Sequence, residues 1–293
     1  MVLKLDAAAR RRAHCSEAAW AAAQLNTDPL GSATKYPGEE TRMRRWVRRL
    51  GLAVGGLVGL FLLLVVAFCI ISYVRQQRTY TLVIPPLAIP TDSATLERGR
   101  HLVTAVGFCT DCHATDLGGK VLGDGFLTGR LAAANLTSGP GGLGANYTNE
   151  DLVRAIRHGV GRNGRSLIFM PAQVFQHMSD ADLTAMIAYL HALPPVDRTL
   201  PRLRIGPVIR VFHLLGFPLL PAERVDHHAT AAPLAPSVSI AYGAYLANVS
   251  GCTGCHGPQL AGDGGPGPNI TRGAIGAWTE GDFSPRPTRG EAA

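Results

Sequence analysis

One apolar run stands out along the chain and predicts a membrane-spanning helix. Residues 51–74 read GLAVGGLVGLFLLLVVAFCIISYV and carry no charged side chain. A helix of this length extends for about 36 Å, which is enough to cross a hydrocarbon core of about 30 Å. A cleaved signal peptide is disfavoured, because the run is longer than the apolar core of such a peptide and no A-x-A cleavage site follows. We expect a single span over residues 50–75.

Beyond the span, apolar positions with helical spacing alternate with loops rich in Gly and Pro, and this pattern predicts an all-α fold. Thr148 followed by Asp151 resembles a capping box, and Gly159 suits the residue that ends the same helix. A second helix is predicted after Ser179, with an apolar face over 183–190, and a Pro-Pro pair at 194–195 stops it.

The chain after the span contains an internal repeat. Its matching segments are Gly99–Leu102 with Gly243–Leu246, Asn135-Leu-Thr with Asn269-Ile-Thr, and Tyr147-Thr148 with Trp278-Thr279. The repeat predicts two domains, at 92–196 and 237–293, joined by a Pro-rich linker at 197–236. The apolar stretch 205–220 in this linker is broken by Pro and too short to span a bilayer; we expect it to pack on the first domain, with the membrane surface as the alternative.

The formal charge of +7 does not indicate nucleic-acid binding. Residues 1–50 hold ten Lys or Arg against five Asp or Glu, and the remaining chain is nearly neutral, so no basic stripe is available for phosphates. Five arginines precede the span and two follow it, which places residues 1–49 in the cytoplasm as a tail and the domains on the outer side. Residues 1–42 are either part of that tail or the product of a start codon assigned too early.

Four of the six cysteines form two C-x-x-C-H motifs, the pattern of covalent haem c attachment. The motifs are Cys109-Thr-Asp-Cys112-His113 and Cys252-Thr-Gly-Cys255-His256. Two thiols on one turn add to the haem vinyl groups, and the next imidazole reaches the iron. A shared zinc site would require both pairs to converge and leaves each His unexplained, while a thioredoxin-like pair would require a βαβ context. We therefore predict two haems c, each with its iron bound by His113 or His256.

The second ring nitrogen of each histidine ligand needs a hydrogen-bond acceptor. Pro268 is placed to offer its carbonyl to His256, and Ala134 occupies the matching position in the first repeat.

Met170 is the predicted distal ligand of the first iron. It precedes Pro171 in a loop and is free to point at the iron, and a His–Met pair suits a haem that carries electrons. Two other methionines are the alternatives: Met178 resembles a hydrophobic staple before a helix, and Met186 lies on the apolar face of that helix.

The second repeat offers no such methionine, because none follows Met186. The position equivalent to Met170 falls beyond Ala293, and the last ten residues do not resemble a closing helix. We expect the second domain to be incomplete, as in a truncated or frameshifted product, with the helix around Tyr242 and Tyr245 lacking a partner. The alternative is an open or bis-His haem, with His227 or His228 as ligand.

These residues resemble those of membrane-anchored dihaem c-type cytochromes, which are similar to the cytochrome subunits of periplasmic dehydrogenases. The resemblance covers 92–283 and rests on the two C-x-x-C-H motifs, Met170-Pro171 and the segments around them. It implies class I cytochrome c domains and an electron carrier, not an enzyme, in the inner membrane with its haem domains on the periplasmic side. The implied partners are the membrane and redox proteins: a dehydrogenase, an oxidase or a soluble cytochrome. The alternatives are a dihaem peroxidase with one open iron, and a gas sensor, for which no output domain is evident.

Overall fold

The computed structural model describes residues 37–229 and 234–283, and it divides the chain into two compact units at residues 63 and 64. The tail before residue 37, four linker residues and the last ten residues lie outside the described part. Within the first unit, the structure describes the beginning of helix α1, which runs over Pro37–Gln77. Its Thr41–Gln77 portion is long and apolar enough to cross a membrane.

The second unit begins at Leu64, inside α1, and contains the two predicted repeats. Its helices are α2 (Ser93–His101), α3 (Cys109–His113), α4 (Asn149–His158), α5 (Ala172–Phe175), α6 (Asp180–Ala192), α7 (Pro207–Leu214), α8 (Ile240–Val249), α9 (Cys252–His256), α10 (Arg272–Ile275) and α11 (Glu280–Phe283). A π-helical turn at Leu102–Val106 follows α2, and short 3-10 turns lie at Gly144–Asn146 and Pro221–Glu223.

The caps predicted from the sequence position α4 and α6. Thr148 Oγ1 accepts a hydrogen bond from the Asp151 N–H, and the Asp151 carboxylate accepts one from the Thr148 N–H, which completes the capping box. Gly159 ends α4 with a φ of 64°, a left-handed conformation that glycine adopts without a Cβ penalty. Ser179 caps α6 by accepting from the Asp182 N–H.

The core of the second unit lies between α2, its π-helical extension and α6. Leu102, Leu183 and Ile187 are fully buried there. The two helices approach so closely that a Cβ atom on Gly99 would lie 2.0 Å from the Ala185 carbonyl oxygen. Glycine is therefore required where α2 crosses α6.

The fold is mostly helical, but the expected all-α class needs correction, because a three-stranded antiparallel sheet follows the first C-x-x-C-H motif. Strand β1 (Lys120–Gly125) pairs with β2 (Gly129–Ala133), and β2 pairs with the short β3 (Arg204–Ile205). The strands contain several glycines, and most of β1 is exposed, so they lack the alternation of apolar and polar residues that predicts a strand.

The linker packs on the first repeat, as expected. Leu219 and Leu220 are buried and form a small cluster with Ile205, against which Ile168 and Phe169 pack. Phe169 is held to the linker twice: its N–H donates to the Leu219 carbonyl at 3.1 Å, and its ring lies 5.3 Å from that of Phe217.

Helix α8 of the second repeat is not without a partner, which corrects the expectation from the sequence. Tyr242 and Tyr245 are buried in the core of the first repeat. The Tyr245 hydroxyl donates to Asp182 at 2.7 Å and accepts from the Ser179 N–H at 3.2 Å, while Arg98 donates to the Tyr242 hydroxyl at 2.6 Å. Arg98 on α2 and Ser179 and Asp182 at the start of α6 thus bind the two tyrosine hydroxyls of α8.

Candidate functional site

The first C-x-x-C-H motif forms one helical turn, α3, set off by unusual backbone conformations on both sides. Phe108 before it has a φ of 49°, and Ala114 after it has a φ of 67°. Both residues lie in regions that L-amino acids rarely adopt, so the turn is fixed in a strained frame.

The imidazole of His113 is oriented by a backbone acceptor, as predicted. Its Nδ1–H donates to the Ala134 carbonyl at 2.7 Å, which leaves Nε2 as the nitrogen with a free lone pair. Burial lowers the pKa of His113, so the ring is neutral and able to act as a ligand. Burial also raises the pKa of the Cys109 thiol to about 12, because its thiolate form is poorly solvated.

The motif opens into a cavity of about 270 Å³ whose wall is mostly apolar. The residues that reach it with sulfur or imidazole are Cys109, Cys112, His113, Met170 and Met186. Apolar side chains from several elements complete the wall, among them Leu122, Leu131, Leu152, Ile156, Phe169 and Phe175.

The three methionines occupy different environments. Met170 follows Phe169, whose φ of 63° bends the chain, and it lines the cavity from a loop. Met178 is fully buried outside the cavity lining, and Met186 is a core residue of α6 that touches the cavity. Met170 is therefore the one whose side chain belongs to the cavity and not to a helix core.

This donor set fits a covalently bound haem better than a metal ion alone. Two thiols and an imidazole share one turn, a thioether lies on the same cavity, and the apolar wall suits a flat aromatic ring. Within residues 37–229 and 234–283, no group of three or more His, Cys, Asp or Glu side chains could hold a metal ion. The zinc alternative thus has no support in the described part of the chain.

The second motif, α9, is a helical turn of the same length as the first, and its flanking residues have matching backbone conformations. Gly251 before it has a φ of 76° and Gly257 after it has a φ of 78°, in the positions of Phe108 and Ala114. The His256 Nδ1–H donates to the Pro268 carbonyl at 2.6 Å, as predicted. The repeat read from the sequence is therefore a structural repeat around both motifs.

The loops that follow the motifs also correspond. Leu117 and Leu260 have φ values of 56° and 58°, and their carbonyls accept from the N–H groups of Leu136 and Ile270 at 2.8 and 2.9 Å. In each Asn-x-Thr tripeptide the Asn side chain accepts hydrogen bonds from the Thr N–H and hydroxyl.

The two linker histidines considered as ligands of the second iron are not brought to the second motif by any described contact. His227 shares a hydrogen bond of 3.3 Å with His158 through their Nδ1 atoms, and its Nε2–H donates to the Ala222 carbonyl. Its ring nitrogens are thus engaged by the first repeat and by the linker, respectively. His228 is exposed, and its N–H donates to the Asp226 carboxylate.

Two histidines outside the C-x-x-C-H motifs, His158 and His213, are buried. His158 is 8% exposed, and its pKa is lowered to about 4 by burial first, then by the charges of His227, Arg157 and Arg154. His213 is 4% exposed, and burial likewise lowers its pKa. The only available signal was their position in apolar segments, which alone does not distinguish a buried histidine from an exposed one.

The two motifs approach each other through α5. A Cβ atom on Gly251, the residue before α9, would lie 3.5 Å from Val174. Val174 belongs to α5, which begins two residues after Met170. The short helix that follows the loop of the predicted distal ligand of the first site therefore lies beside the attachment turn of the second.

Comparison with known proteins agrees with this geometry. Residues 94–190 match the family described as cytochrome C oxidase, cbb3-type, subunit III. A nicotinate dehydrogenase subunit of Pseudomonas putida is 33% identical over 187 residues, which cover 60% of this chain and 15% of that protein. The fructose dehydrogenase cytochrome subunit of Gluconobacter japonicus is 30% identical over 139 residues, covering 45% of this chain and 27% of that subunit.

A third relative is the cytochrome c subunit of the quinone alcohol dehydrogenase of Komagataeibacter europaeus. It is 31% identical over 176 residues, which cover 57% of this chain and 37% of that subunit. The alignments thus span well under half the length of these relatives. The predicted resemblance to c-type cytochromes is confirmed, and it extends to proteins named as cytochrome subunits of dehydrogenases.

Proposed function

We propose that this chain is a membrane-anchored dihaem c-type cytochrome that carries electrons between a dehydrogenase and a second redox partner on the periplasmic side. The observation that carries the proposal is the cavity that Cys109, Cys112, His113 and Met170 line together. Helix α1 supplies the anchor, and the arginines before it support a cytoplasmic N-terminus.

In this proposal a bound haem supplies the redox chemistry, by cycling between Fe(III) and Fe(II). The chain's own residues bind and orient it. Cys109 and Cys112 supply two covalent attachment points, and the Ala134 carbonyl binds Nδ1–H of His113, which leaves Nε2 of this cavity-lining ring free to bind the iron. The apolar wall excludes water, which favours a high reduction potential together with a His–Met ligand pair.

The second site is proposed to bind a haem through Cys252, Cys255 and His256. Of the two linker histidines considered as its distal ligand, His227 is engaged with His158 and with the Ala222 carbonyl.

Covalent attachment is the direct test. The full chain, expressed with a c-type maturation system, should keep its haem peroxidase stain after denaturing electrophoresis. Replacing Cys109 and Cys112 with Ala should halve the haem content per chain, and the matched replacement of Cys252 and Cys255 should do the same. Loss of all stain from the unmodified protein on denaturation would refute the proposal.

The ligand field of the second site is tested by carbon monoxide binding to the reduced full chain at neutral pH. An iron with His256 alone should bind carbon monoxide and be high-spin, while the first haem stays inert. If both haems are low-spin and neither binds carbon monoxide, a second nitrogen ligand is present at the second site and the bis-His alternative is correct.

A further inference from the structure

A patch of exposed apolar side chains lies on the linker where it passes the end of α1. We call it the 212–217 surface; it consists of Phe212 on α7 and of Leu215 and Phe217 in the turn that follows. Their exposed fractions are 52%, 71% and 38%. The opposite side of α7 is buried, since His213 is 4% exposed and Ile209 packs on the linker cluster.

Two contacts fix α7 against the last turns of α1, and a third fixes the 3-10 turn at Pro221–Glu223. Ser72 and His213 are joined by a hydrogen bond of 3.3 Å, and the Arg210 guanidinium lies 5.9 Å from the centre of the Tyr73 ring. Just beyond α7, Glu223 accepts a hydrogen bond of 2.9 Å from Arg75 Nε. All these contacts are within the second unit of the fold.

These contacts lie at the end of the apolar run of α1. The apolar run ends at Val74, so Ser72 and Tyr73 lie within about 5 Å of its end at 1.5 Å per residue. Ser72 is fully buried by its neighbours, whereas Tyr73 beside it is 54% exposed. Helix α7 therefore lies beside the boundary at which the apolar part of α1 gives way to charged residues.

The backbone of the 212–217 surface is suited to an environment poor in water. Its N–H groups are paired within the segment: Leu215 donates to the Val211 carbonyl, Gly216 to that of His213, and Phe217 to that of Phe212. Arg224 in addition donates to the Gly216 carbonyl at 2.6 Å. Backbone groups that are already paired can enter the edge of a bilayer at little cost, because no hydrogen bond to water is lost.

We propose that the 212–217 surface lies in the interfacial layer of the lipid bilayer that α1 spans. The inference rests on the proposed function in one respect, that α1 is a membrane anchor. Aromatic and aliphatic side chains next to arginines are the composition that this layer favours. The surface follows a helix that is attached to the end of α1, where Tyr73 and Val74 are themselves exposed, so a bilayer that ends at this level of α1 lies beside it.

The interfacial contact would orient the first site as well as hold it. Phe217 packs against Phe169, and Phe169 lines the cavity of the first motif. One end of that cavity thus rests on residues placed at the membrane surface. A chain held only by α1 would instead be free to tilt.

The test is spin-label accessibility in the full-length protein, reconstituted at one copy per lipid nanodisc. Single labelling sites are introduced as Leu215→Cys, Ile71→Cys and Ile240→Cys in the haem-loaded protein, in which the four motif cysteines are blocked by haem and Cys15 and Cys69 are replaced by Ala. Collisions with molecular oxygen, which concentrates in lipid, are compared with collisions with a water-soluble nickel chelate. Ile71 lies on α1 and reports on the anchor, and Ile240 is an apolar control that is 94% exposed on α8.

The expected result is a high ratio of oxygen to nickel accessibility at 215, close to that at 71 and well above that at 240. A high ratio at 71 with a water-like ratio at 215 overturns this inference and leaves the anchor intact. A water-like ratio at 71 refutes the anchor itself. An immobilised label at 215 that neither reagent reaches shows that protein covers the surface, which also overturns the inference.

Discussion

Replacing Gly99 with Ala should destabilise the second unit, because α2 and α6 leave no room for a methyl group. The added Cβ would lie 2.0 Å from the Ala185 carbonyl oxygen, 2.7 Å from the Ala185 carbonyl carbon and 2.8 Å from Tyr189 Cβ. These atoms are backbone or directly attached to it, so no side-chain rotation relieves the overlap. The two helices must therefore move apart.

The expected loss of stability follows from the packing contacts that this movement weakens. A separation of about 1 Å forfeits a quarter to a half of the dispersion energy of each contact across the gap. Leu102, Leu183 and Ile187, all fully buried, supply many of those contacts. Overpacking of this kind costs about 1–3 kcal/mol, and alanine regains about 0.5–1 kcal/mol of helix propensity. We expect a net loss of about 1 kcal/mol in the free energy of unfolding.

The control is the corresponding glycine of the second repeat. Gly243 in α8 is exposed, and a Cβ there would have no atom within 4 Å. Gly243→Ala should be neutral or stabilise by about 0.5–1 kcal/mol, since only helix propensity changes.

Urea titrations of the full chain in detergent, followed by far-ultraviolet circular dichroism, measure both variants. The midpoint should fall for Gly99→Ala with an unchanged slope, and should hold or rise for Gly243→Ala. Equal midpoints for Gly99→Ala and the unmodified protein would show that α2 and α6 do not approach as described.

Three further outcomes are expected. Tyr245→Phe removes the hydroxyl that donates to Asp182 at 2.7 Å and should lower the free energy of unfolding by about 2 kcal/mol in the same titration; no change would contradict the docking of α8. The pKa of His158 falls from 6.5 to about 4 on folding, so the unfolded chain takes up a proton first as the pH is lowered. The free energy of unfolding should therefore decline by about 3 kcal/mol between pH 7 and pH 4 and level off at lower pH. His158→Gln should lose most of this pH dependence in the same titrations, and an unchanged pH dependence would contradict the assignment. Met170→Ala should abolish the far-red sulfur-to-iron absorption band and lower the potential of the first haem, whereas Met178→Ala should leave both intact; the reverse result would exchange their roles.

Local signals in the sequence predict the helices and the attachment turns well. The capping box at Thr148, the left-handed Gly159 and the Ser179 cap are each determined by residues within one helical turn of each other. The carbonyl acceptors Ala134 and Pro268 follow from the repeat, because two copies of one loop place equivalent atoms alike. Short-range chemistry of this kind is readable without a structure.

Pairings between distant segments are what the sequence did not predict. The β2–β3 pair joins Gly129 to Ile205, which are far apart in the sequence. The two segments hardly show the alternation of apolar and polar residues that predicts a strand. Tyr242 and Tyr245 were expected to lack a partner, because only the fold brings them to Arg98 and Asp182. Such contacts depend on tertiary geometry, which residue periodicity does not encode.

The contact between Val174 and Gly251 bears on how an electron would cross the molecule. Helix α8 is fastened to α2 and α6 by buried tyrosines, so the second attachment turn is not a body swinging on a flexible tether. A tethered carrier samples many separations, and its transfer rate is set by how often it finds a short one. Here the second attachment turn lies in a packed interface, beside the side chain at position 174. In the dihaem protein proposed above, the separation of the two attachment points is therefore expected to be held by packing and not by diffusion.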